Sequence, residues 1–200
     1  MLKIIVKIIL PVFLISIFYL YGCGSDLPMD ENINGSFTLI NQDSNKVVFP
    51  DDFKGKIIVT GFIYTNCPDI CPMTTHNMQL VQNKISDEGI KNVQFIGISF
   101  DPERDTPALL KKYSKLRDIN EDNFQFLTGK KETISSLLKE MNVLAISADS
   151  SFTDSGEPIY FYTHTDRITI VDQEGHIRAE FSGSQANREK IIEDIKTLED

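Results

Sequence analysis

The sequence predicts an α/β protein: a three-layer sandwich with a mixed β-sheet and an added N-terminal β-hairpin. Two almost continuously apolar runs, at 56–64 and 93–100, have the composition of strands that are buried on both faces. A segment with helical spacing of apolar residues follows each run, and this β-α-β-α alternation is typical of parallel strands covered by helices. The C-terminal part, 167–199, combines a hairpin pattern with an amphipathic helix, so we expect antiparallel strands in the same sheet.

Shorter patterns give the order of the other elements. Alternating apolar and polar residues on both sides of a polar turn predict the N-terminal hairpin over 36–49. Thr106 is a good N-cap and Pro107 suits a first helical position, so a helix should follow the second buried strand. The remaining predictions are a helix over about 72–87, a short strand at 124–129, a helix at 131–143, a polar loop at 147–158, a hairpin at 167–181 and a helix at 187–199. This order fits a sandwich of the thioredoxin type.

Composition and charge exclude some classes of function. Hydrophobic residues make up 41% of the 200-residue chain, which is enough for the core of one compact domain and argues against bulk disorder. The formal net charge is −9, whereas a protein that binds nucleic-acid phosphates needs a basic face. We therefore expect no nucleic acid among the partners.

The first 22 residues have the pattern of a bacterial export signal. Lys3 and Lys7 precede an apolar run over 8–21, which is short for a membrane span. The run ends in Leu-Tyr-Gly-Cys, similar to a lipobox, in which the cysteine (here Cys23) becomes the lipidated first residue of the mature protein. An uncleaved N-terminal anchor is the alternative. Either way we expect an extracytoplasmic, membrane-anchored protein, with a flexible tether at 23–35 before a domain at 36–200.

The stretch TNCPDICPMTTH, from Thr65 to His76, holds the other two of the three cysteines. Cys67 lies just past a predicted strand and Cys71 at or just before a predicted helix, with Pro72 at a first helical position. Both thiols can therefore converge at one edge of the sheet, where the positive end of the helix favours thiolates. The pair could be a structural disulfide, a redox couple or two metal ligands, although a disulfide across so small a loop would add little stability.

A third ligand would distinguish a metal site from a redox couple. His76 should point away from Cys71 on a regular helix, and His176 lies at a hairpin turn, so both are expected at the surface. His164 precedes a strand that would start at the cysteine edge if it runs antiparallel to the strand at 56–64. The residues alone leave open whether it is a ligand or a half-buried histidine at a loop-to-strand junction. Two thiolates and an imidazole suit copper; zinc is the rival, but a fourth ligand is not evident.

Three segments together resemble one known family. GFIYTNCPDICP at 61–72, DPERDTP at 101–107, and His164 with Tyr160 four residues before it are similar to the Sco/SenC family, membrane-tethered copper proteins of cytochrome c oxidase assembly. The resemblance covers roughly residues 36–198 in order and with comparable spacing. Family members often have an aspartate directly before the histidine, where this chain has Thr163, so copper affinity or exchange rate is expected to differ.

The resemblance implies a thioredoxin-like domain that binds one copper ion, Cu(I) or Cu(II), through Cys67, Cys71 and His164. It also implies a metallochaperone that supplies copper to the binuclear copper site of cytochrome c oxidase subunit II, or that first prepares the thiols of that site. The alternative is an extracytoplasmic thiol–disulfide oxidoreductase or redox sensor that uses the same cysteine pair. The sequence names neither the copper donor nor the acceptor.

The DPERDTP segment follows the second buried strand and would lie at the same sheet edge as the cysteines if the two strands are parallel neighbours. Asp101 and Arg104 could pair across this loop, and Asp105 with Thr106 could start the next helix. Asp101, Arg104, Asp105 and Tyr160 are therefore candidates for supporting the site or for docking a partner. The alternative is that the DPERDTP segment only connects a strand to a helix.

Overall fold

The computed structural model describes residues 27–147, 151–152, 158–159 and 161–199. The predicted export signal, Cys23 and Tyr160 lie outside these residues. No helix within the described part of the chain is long and apolar enough to cross a membrane.

The elements found among these residues follow the predicted order. The strands are β1 (Glu31–Asn32), β2 (Phe37–Asn41), β3 (Lys46–Phe49), β4 (Ile57–Ile63), β5 (Val93–Ser99), β6 (Phe124–Thr128), β7 (Ala145–Ser147), β8 (Ser151–Phe152), β9 (Pro158–Ile159), β10 (Tyr162–His164), β11 (Arg167–Val171) and β12 (His176–Ser182). The helices are α1 (Ile70–Asp87), α2 (Pro107–Leu116), α3 (Lys131–Glu140) and α4 (Arg188–Glu199), with a short 3-10 turn at Asp51–Phe53.

One mixed sheet of eight strands organises the domain, in the order β1-β12-β11-β4-β5-β6-β2-β3. The central strands β4, β5 and β6 are parallel, whereas β11 runs antiparallel to β4 and β12 antiparallel to β11. Every residue of β4 and β5 is buried, as expected for parallel strands covered on both faces. The predicted N-terminal hairpin is β2–β3, and β2 adds it to the sheet next to β6. The mixed thioredoxin-like architecture is thus confirmed.

Helix α1 lies directly on the centre of the sheet. It contacts β4, β5 and β11 and packs against α4, while α2 contacts β6 and α3 contacts β2. Gly61 in β4 permits this close approach, because a Cβ there would lie 2.8 Å from the Met78 Sδ of the helix. The helix begins at Ile70, not near residue 72 as predicted, so Cys71 and Pro72 lie inside its first turn.

Two regions differ from the sequence-based expectation. Part of the predicted tether belongs to the sheet: the Met29 N–H donates to the Arg178 carbonyl at 3.2 Å and β1 pairs with the start of β12. The folded domain therefore begins before residue 36, because these backbone groups complete the edge of β12. The predicted polar loop at 147–158 includes the end of β7 and the strand β8, which pairs with β9.

Candidate metal centre

The two cysteines lie at the junction between β4 and α1. Cys67 is in the loop that leaves the strand and is partly buried, whereas Cys71 is in the first turn of the helix and is fully buried. The Cys71 backbone N–H donates to Cys67 Sγ over 3.4 Å. Asp69 is the N-cap residue, but its side chain makes no capping bond. An N–H group of the first turn, that of Cys71, therefore faces the Cys67 sulfur, an arrangement that stabilises a thiolate.

His164 reaches the cysteines from the segment that precedes β11. It ends β10, which forms a small ribbon with β7, and the chain then enters β11 antiparallel to β4 as predicted. His164 Nε2 lies 3.6 Å from Cys71 Sγ, and Nδ1 lies 3.0 Å from the carbonyl oxygen of Thr165. A carbonyl can only accept, so Nδ1 carries a proton, and Nε2, which faces the sulfurs, is the nitrogen that can bind a metal when the ring is neutral. This tautomer is the one that a metal-binding imidazole needs.

The three side chains converge on one point. One ligand atom each from Cys67, Cys71 and His164 lies within 4.8 Å of the other two, and this is the one group of three or more potential ligands found among the described residues. Bonds of about 2.3 Å to sulfur and about 2.0 Å to nitrogen place neighbouring ligand atoms about 3.5–4 Å apart. The Cys71–His164 separation already has this length, so the donor set fits one metal ion.

The two thiols differ strongly in acidity. The hydrogen bond from the Cys71 thiol lowers the pKa of Cys67 to about 3, helped by His164 and by the backbone N–H groups of Cys71 and Asp69, against the opposing effect of burial. The same bond, together with burial, raises the pKa of Cys71 far above its usual value. Burial alone would lower the pKa of His164, but its bonds to Cys67 and to the Thr165 carbonyl outweigh it and raise that pKa. Cys67 is therefore the thiolate and Cys71 the proton donor in the metal-free pair.

Aromatic rings hold the histidine in place. The His164 ring centroid lies 5.0 Å from that of Phe100 and 6.0 Å from that of Tyr64. Tyr162 packs edge-on against both aromatic rings at 5.1 Å. None of these three residues was predicted to support the site; the predicted residue was Tyr160, which lies outside the described residues. Alternation along β10 could have pointed to Tyr162, because residues two apart share a face of a strand.

The DPERDTP loop lies at the cysteine edge because β4 and β5 are parallel neighbours, as predicted. Asp105 is 1% exposed and accepts hydrogen bonds from the Thr65 backbone N–H at 3.0 Å, the Thr65 hydroxyl at 2.5 Å and the Ser99 hydroxyl at 2.5 Å. The prediction that Asp105 helps to start α2 was wrong: Thr106 alone caps it, accepting from the Leu109 N–H. Asp105 instead ties down the segment that leads to Cys67, and burial raises the pKa of its carboxyl.

Asp101 connects the same loop to the histidine ribbon. Its carboxylate accepts a hydrogen bond from the Tyr162 hydroxyl at 3.3 Å. Arg104 Nε lies 3.9 Å from the other oxygen, so the predicted Asp101–Arg104 pairing is present. The loop therefore contacts both segments that carry the candidate ligands, which is more than a connector would require.

The other two histidines lie away from this cluster. His76 is exposed and its nearest polar partner is the Gln79 side chain at 3.4 Å. His176 pairs with Asp30 at 2.8 Å, at the opposite end of the sheet. Both positions agree with the prediction. Thr163 is exposed on the ribbon, and the carboxylate of Asp166, which no sequence pattern indicated, lies two residues after the histidine.

Comparison with known proteins places the chain in a family. A family model described as SCO1/SenC matches residues 25–200. The SCO1 protein homolog of Bacillus subtilis (strain 168) is 30% identical over 183 residues, which cover 90% of each chain. The structure of Bradyrhizobium japonicum ScoI with copper bound has a TM-score of 0.70 at 29% identity and covers 83% of this chain and 99% of that one.

A further similar structure is that of BsSco, a member of the Sco family of cytochrome c oxidase assembly proteins in which a disulfide switch was identified. It has a TM-score of 0.68 at 29% identity and covers 86% of this chain and 95% of that one. The family model spans nearly all of the described residues, and the cysteine pair and the histidine meet in one cluster. This chain therefore belongs to the SCO1/SenC family.

Proposed function

We propose that this protein is a copper chaperone that carries one copper ion on Cys67 Sγ, Cys71 Sγ and His164 Nε2. The observation that supports this most directly is the convergence of these three atoms within 4.8 Å, with Nδ1 of His164 held by the Thr165 carbonyl and Nε2 facing the sulfurs. Membership of the SCO1/SenC family and the copper-bound relative point to the same metal. The copper is cargo, so the site must hold it and also release it.

The donor set favours copper over its rivals. Thiolates select soft ions such as Cu(I), and imidazole also accepts Cu(II). A structural zinc site takes four protein ligands, and among the described residues no fourth group joins the three. The partly exposed Cys67 is the ligand that an acceptor protein can reach first, whereas the buried Cys71 stays enclosed until copper has left.

The proposed acceptor is the binuclear copper site of cytochrome c oxidase subunit II, or another extracytoplasmic copper protein. Support comes from the family itself and from BsSco, which belongs to the cytochrome c oxidase assembly proteins. We further propose that the chain is exported and held at the membrane by a lipid on Cys23. This proposal rests on the basic, apolar and Leu-Tyr-Gly-Cys pattern of the first 23 residues.

The acidity difference between the thiols favours a second candidate function, thiol–disulfide exchange. The Cys67 thiolate would attack a disulfide of an acceptor, forming a mixed disulfide and releasing one acceptor thiolate. Cys71 would then lose its proton and displace the second acceptor thiolate, which closes the Cys67–Cys71 disulfide. Two electrons pass to the acceptor, whose thiols become able to bind copper. The two functions can follow one another on the same residues, because only the reduced Cys67–Cys71 pair binds metal.

Metal titration tests the chaperone proposal. The reduced full-length protein, solubilised in detergent, is titrated with Cu(I), Cu(II) and Zn(II) in competition with chelators of known affinity. We expect one copper per chain and much weaker zinc binding. Tight zinc binding with negligible copper binding would exclude the chaperone function.

A cellular experiment separates the chaperone from the reductase. A strain that lacks the gene is assayed for active cytochrome c oxidase, with and without added copper, and is complemented with wild type or H164A. Rescue of the oxidase by H164A without added copper would favour the reductase, because that variant keeps the dithiol and loses the imidazole. Full oxidase activity in the deletion strain would point to a different acceptor.

A further inference from the structure

Asp166 joins three segments of the chain beside the candidate copper site. Its Oδ1 accepts a hydrogen bond from the Thr74 hydroxyl on α1 at 3.0 Å and from the Ser184 N–H at 2.9 Å. Its Oδ2 accepts from the hydroxyl groups of Ser184 at 2.6 Å and Ser182 at 3.3 Å. The carboxylate thus links the turn that follows Cys71, the segment that follows His164 and the end of β12.

The absence of a side chain at Gly183 leaves room for the Asp166 carboxylate. A Cβ on Gly183 would lie 2.3 Å from Asp166 Oδ1 and 2.6 Å from Thr74 Oγ1, closer than any real contact allows. The Gly183 N–H also donates to the Asp166 carbonyl at 3.3 Å. Asn77, on the next turn of α1, donates to the carbonyls of Gly183 and Ser184 at 2.8 and 3.0 Å. The helix and the β12 end are therefore fastened to each other around Asp166.

The negative charge of Asp166 is not neutralised by a neighbouring cation. Its partners are hydroxyl and amide groups, and it forms no ion pair with a basic side chain among the described residues. The next residue, Arg167, pairs with Glu180 instead, at 2.8 Å. The charge lies beside the candidate ligands, because Asp166 is two residues after His164 and its carboxylate bonds to Thr74, three residues after Cys71.

We propose that Asp166 is a positioning residue of the copper site: it clamps the His164 segment to α1 and places an unpaired negative charge beside the bound ion, which favours Cu(II) over Cu(I). This inference rests on the proposed copper function. The residue directly before His164 is the uncharged Thr163, so Asp166, two residues after the histidine, supplies a carboxylate on this segment. The two effects, positioning and charge, predict different results for different variants.

The charge should act more strongly on Cu(II), because the interaction energy of a fixed charge with an ion is proportional to the charge of the ion. Removing a group that supports the ligands of a metal typically weakens binding by about 10–100-fold. We expect D166N to weaken Cu(I) binding about fivefold and Cu(II) binding about 25-fold. The fivefold difference corresponds to a rise of about 40 mV in the potential of the bound copper couple, at 59 mV per factor of ten.

Two matched variants isolate the two effects. T74V keeps the charge of Asp166 and removes its bond to the helix, so it should weaken Cu(I) and Cu(II) by a similar factor and leave the potential unchanged. D172N removes an aspartate of equal charge from the other end of β11, about 20 Å away along the strand. Asp172 also accepts several N–H groups, but it pairs with Arg178 at 3.1 Å. D172N should therefore leave both copper affinities and the potential unchanged.

The experiment measures Cu(I) and Cu(II) affinities of the reduced full-length protein by chelator competition, and the potential of the copper-loaded form. A readout without metal accompanies it: hydrogen exchange of the Ser184 amide, which should quicken in D166A and stay slow in D172N. Failure of the wild type to bind copper would overturn the proposed function. Normal copper binding by wild type, D166N and D172N alike, with equal potentials, would overturn the role of Asp166 alone. A potential shift in T74V as large as that in D166N would exclude the charge effect.

Discussion

The two ends of the central sheet are built differently. At the end where β4 leads into α1, the buried carboxylate of Asp105 binds the Thr65 N–H and the Ser99 hydroxyl. At the opposite end the Gly55 N–H donates to the Gln173 carbonyl at 2.9 Å, and the Asn92 side-chain amide donates to the Gly55 carbonyl at 2.7 Å. The buried Asp172 there is neutralised by Arg178. The site end thus combines the ligand cluster with Asp166, which has no ion pair among the described residues, whereas at the opposite end the buried aspartate is paired with an arginine.

The largest expected effect at the site end is the loss of the imidazole. H164A should weaken copper binding by more than about 100-fold, since removal of a ligand should exceed the loss caused by removal of a group that only supports one. Disulfide reduction should stay mostly intact, because the two thiols remain. The matched control is H76A, which removes an exposed histidine near the same edge and should change neither property. Unchanged copper affinity in H164A would mean that the three-ligand site is wrong.

The pH dependence of alkylation sharpens the difference between the two thiols. The pKa of Cys67 is lowered to about 3, so its reactive thiolate is present above that pH and is lost only as the pH falls towards it. Alkylation of Cys67 by iodoacetamide should therefore vary little between pH 5 and 8. An ordinary thiol reacts about tenfold faster per pH unit in that range.

Mass spectrometry of the labelled peptides reports this rate for each cysteine. The buried Cys71 should react far more slowly than Cys67 in the metal-free protein. H164A serves as a comparison, because it removes one of the groups that stabilise the thiolate. A tenfold rise per pH unit at Cys67 in the wild type would contradict the proposed charge state.

Asp105 connects fold stability to the site, and D105N should affect both. Loss of the charged acceptor leaves three buried or partly buried donors poorly matched, so the free energy of unfolding should fall by about 2 kcal/mol. Copper affinity should fall by about tenfold, because the segment before Cys67 loses its support. Denaturant unfolding and copper competition give the two values.

The control for this variant lies at the opposite end of the sheet. D172N should lower stability by a comparable amount and leave copper affinity unchanged. If both variants weakened copper binding equally, the distinction between the two ends would fail.

The smallest effect is expected for Y162F. Removing the hydroxyl breaks its 3.3 Å bond to Asp101 but leaves the ring packed against Tyr64 and Phe100. Stability should change by no more than about 1 kcal/mol, and copper affinity by only a few-fold. Y162A, which also removes the ring, should have a larger effect on copper affinity. Tyr64 and Phe100, the rings that contact His164, then lose their packing against Tyr162. Equal copper affinities in Y162F and Y162A would show that the Tyr162 ring does not contribute to copper binding.

Much of the site was predictable because it follows from topology. A strand that leads into a helix places Cys67 and Cys71 at one sheet edge, and an antiparallel β11 brings His164 to that edge. The supporting residues depend on contacts between segments far apart in the chain, which local patterns do not encode. Asp105 had the pattern of a helix start, and Asp166 had no pattern at all, since its partners Thr74 and Ser184 lie 92 and 18 residues away.

The pairing of β1 with the first residues of β12 also limits the length of chain that could connect the folded domain to a membrane. Five residues lie between Cys23 and the hydrogen-bonded Met29, and a fully extended chain over these six steps spans at most about 20 Å. The attachment lies at the turn end of β12, and the strand then runs about 17 Å further to Ser182 beside Asp166. A lipid on Cys23 would therefore hold the edge of the sheet at β12 within about 20 Å of the bilayer, and a membrane-bound acceptor would have to offer its copper site within reach of that edge.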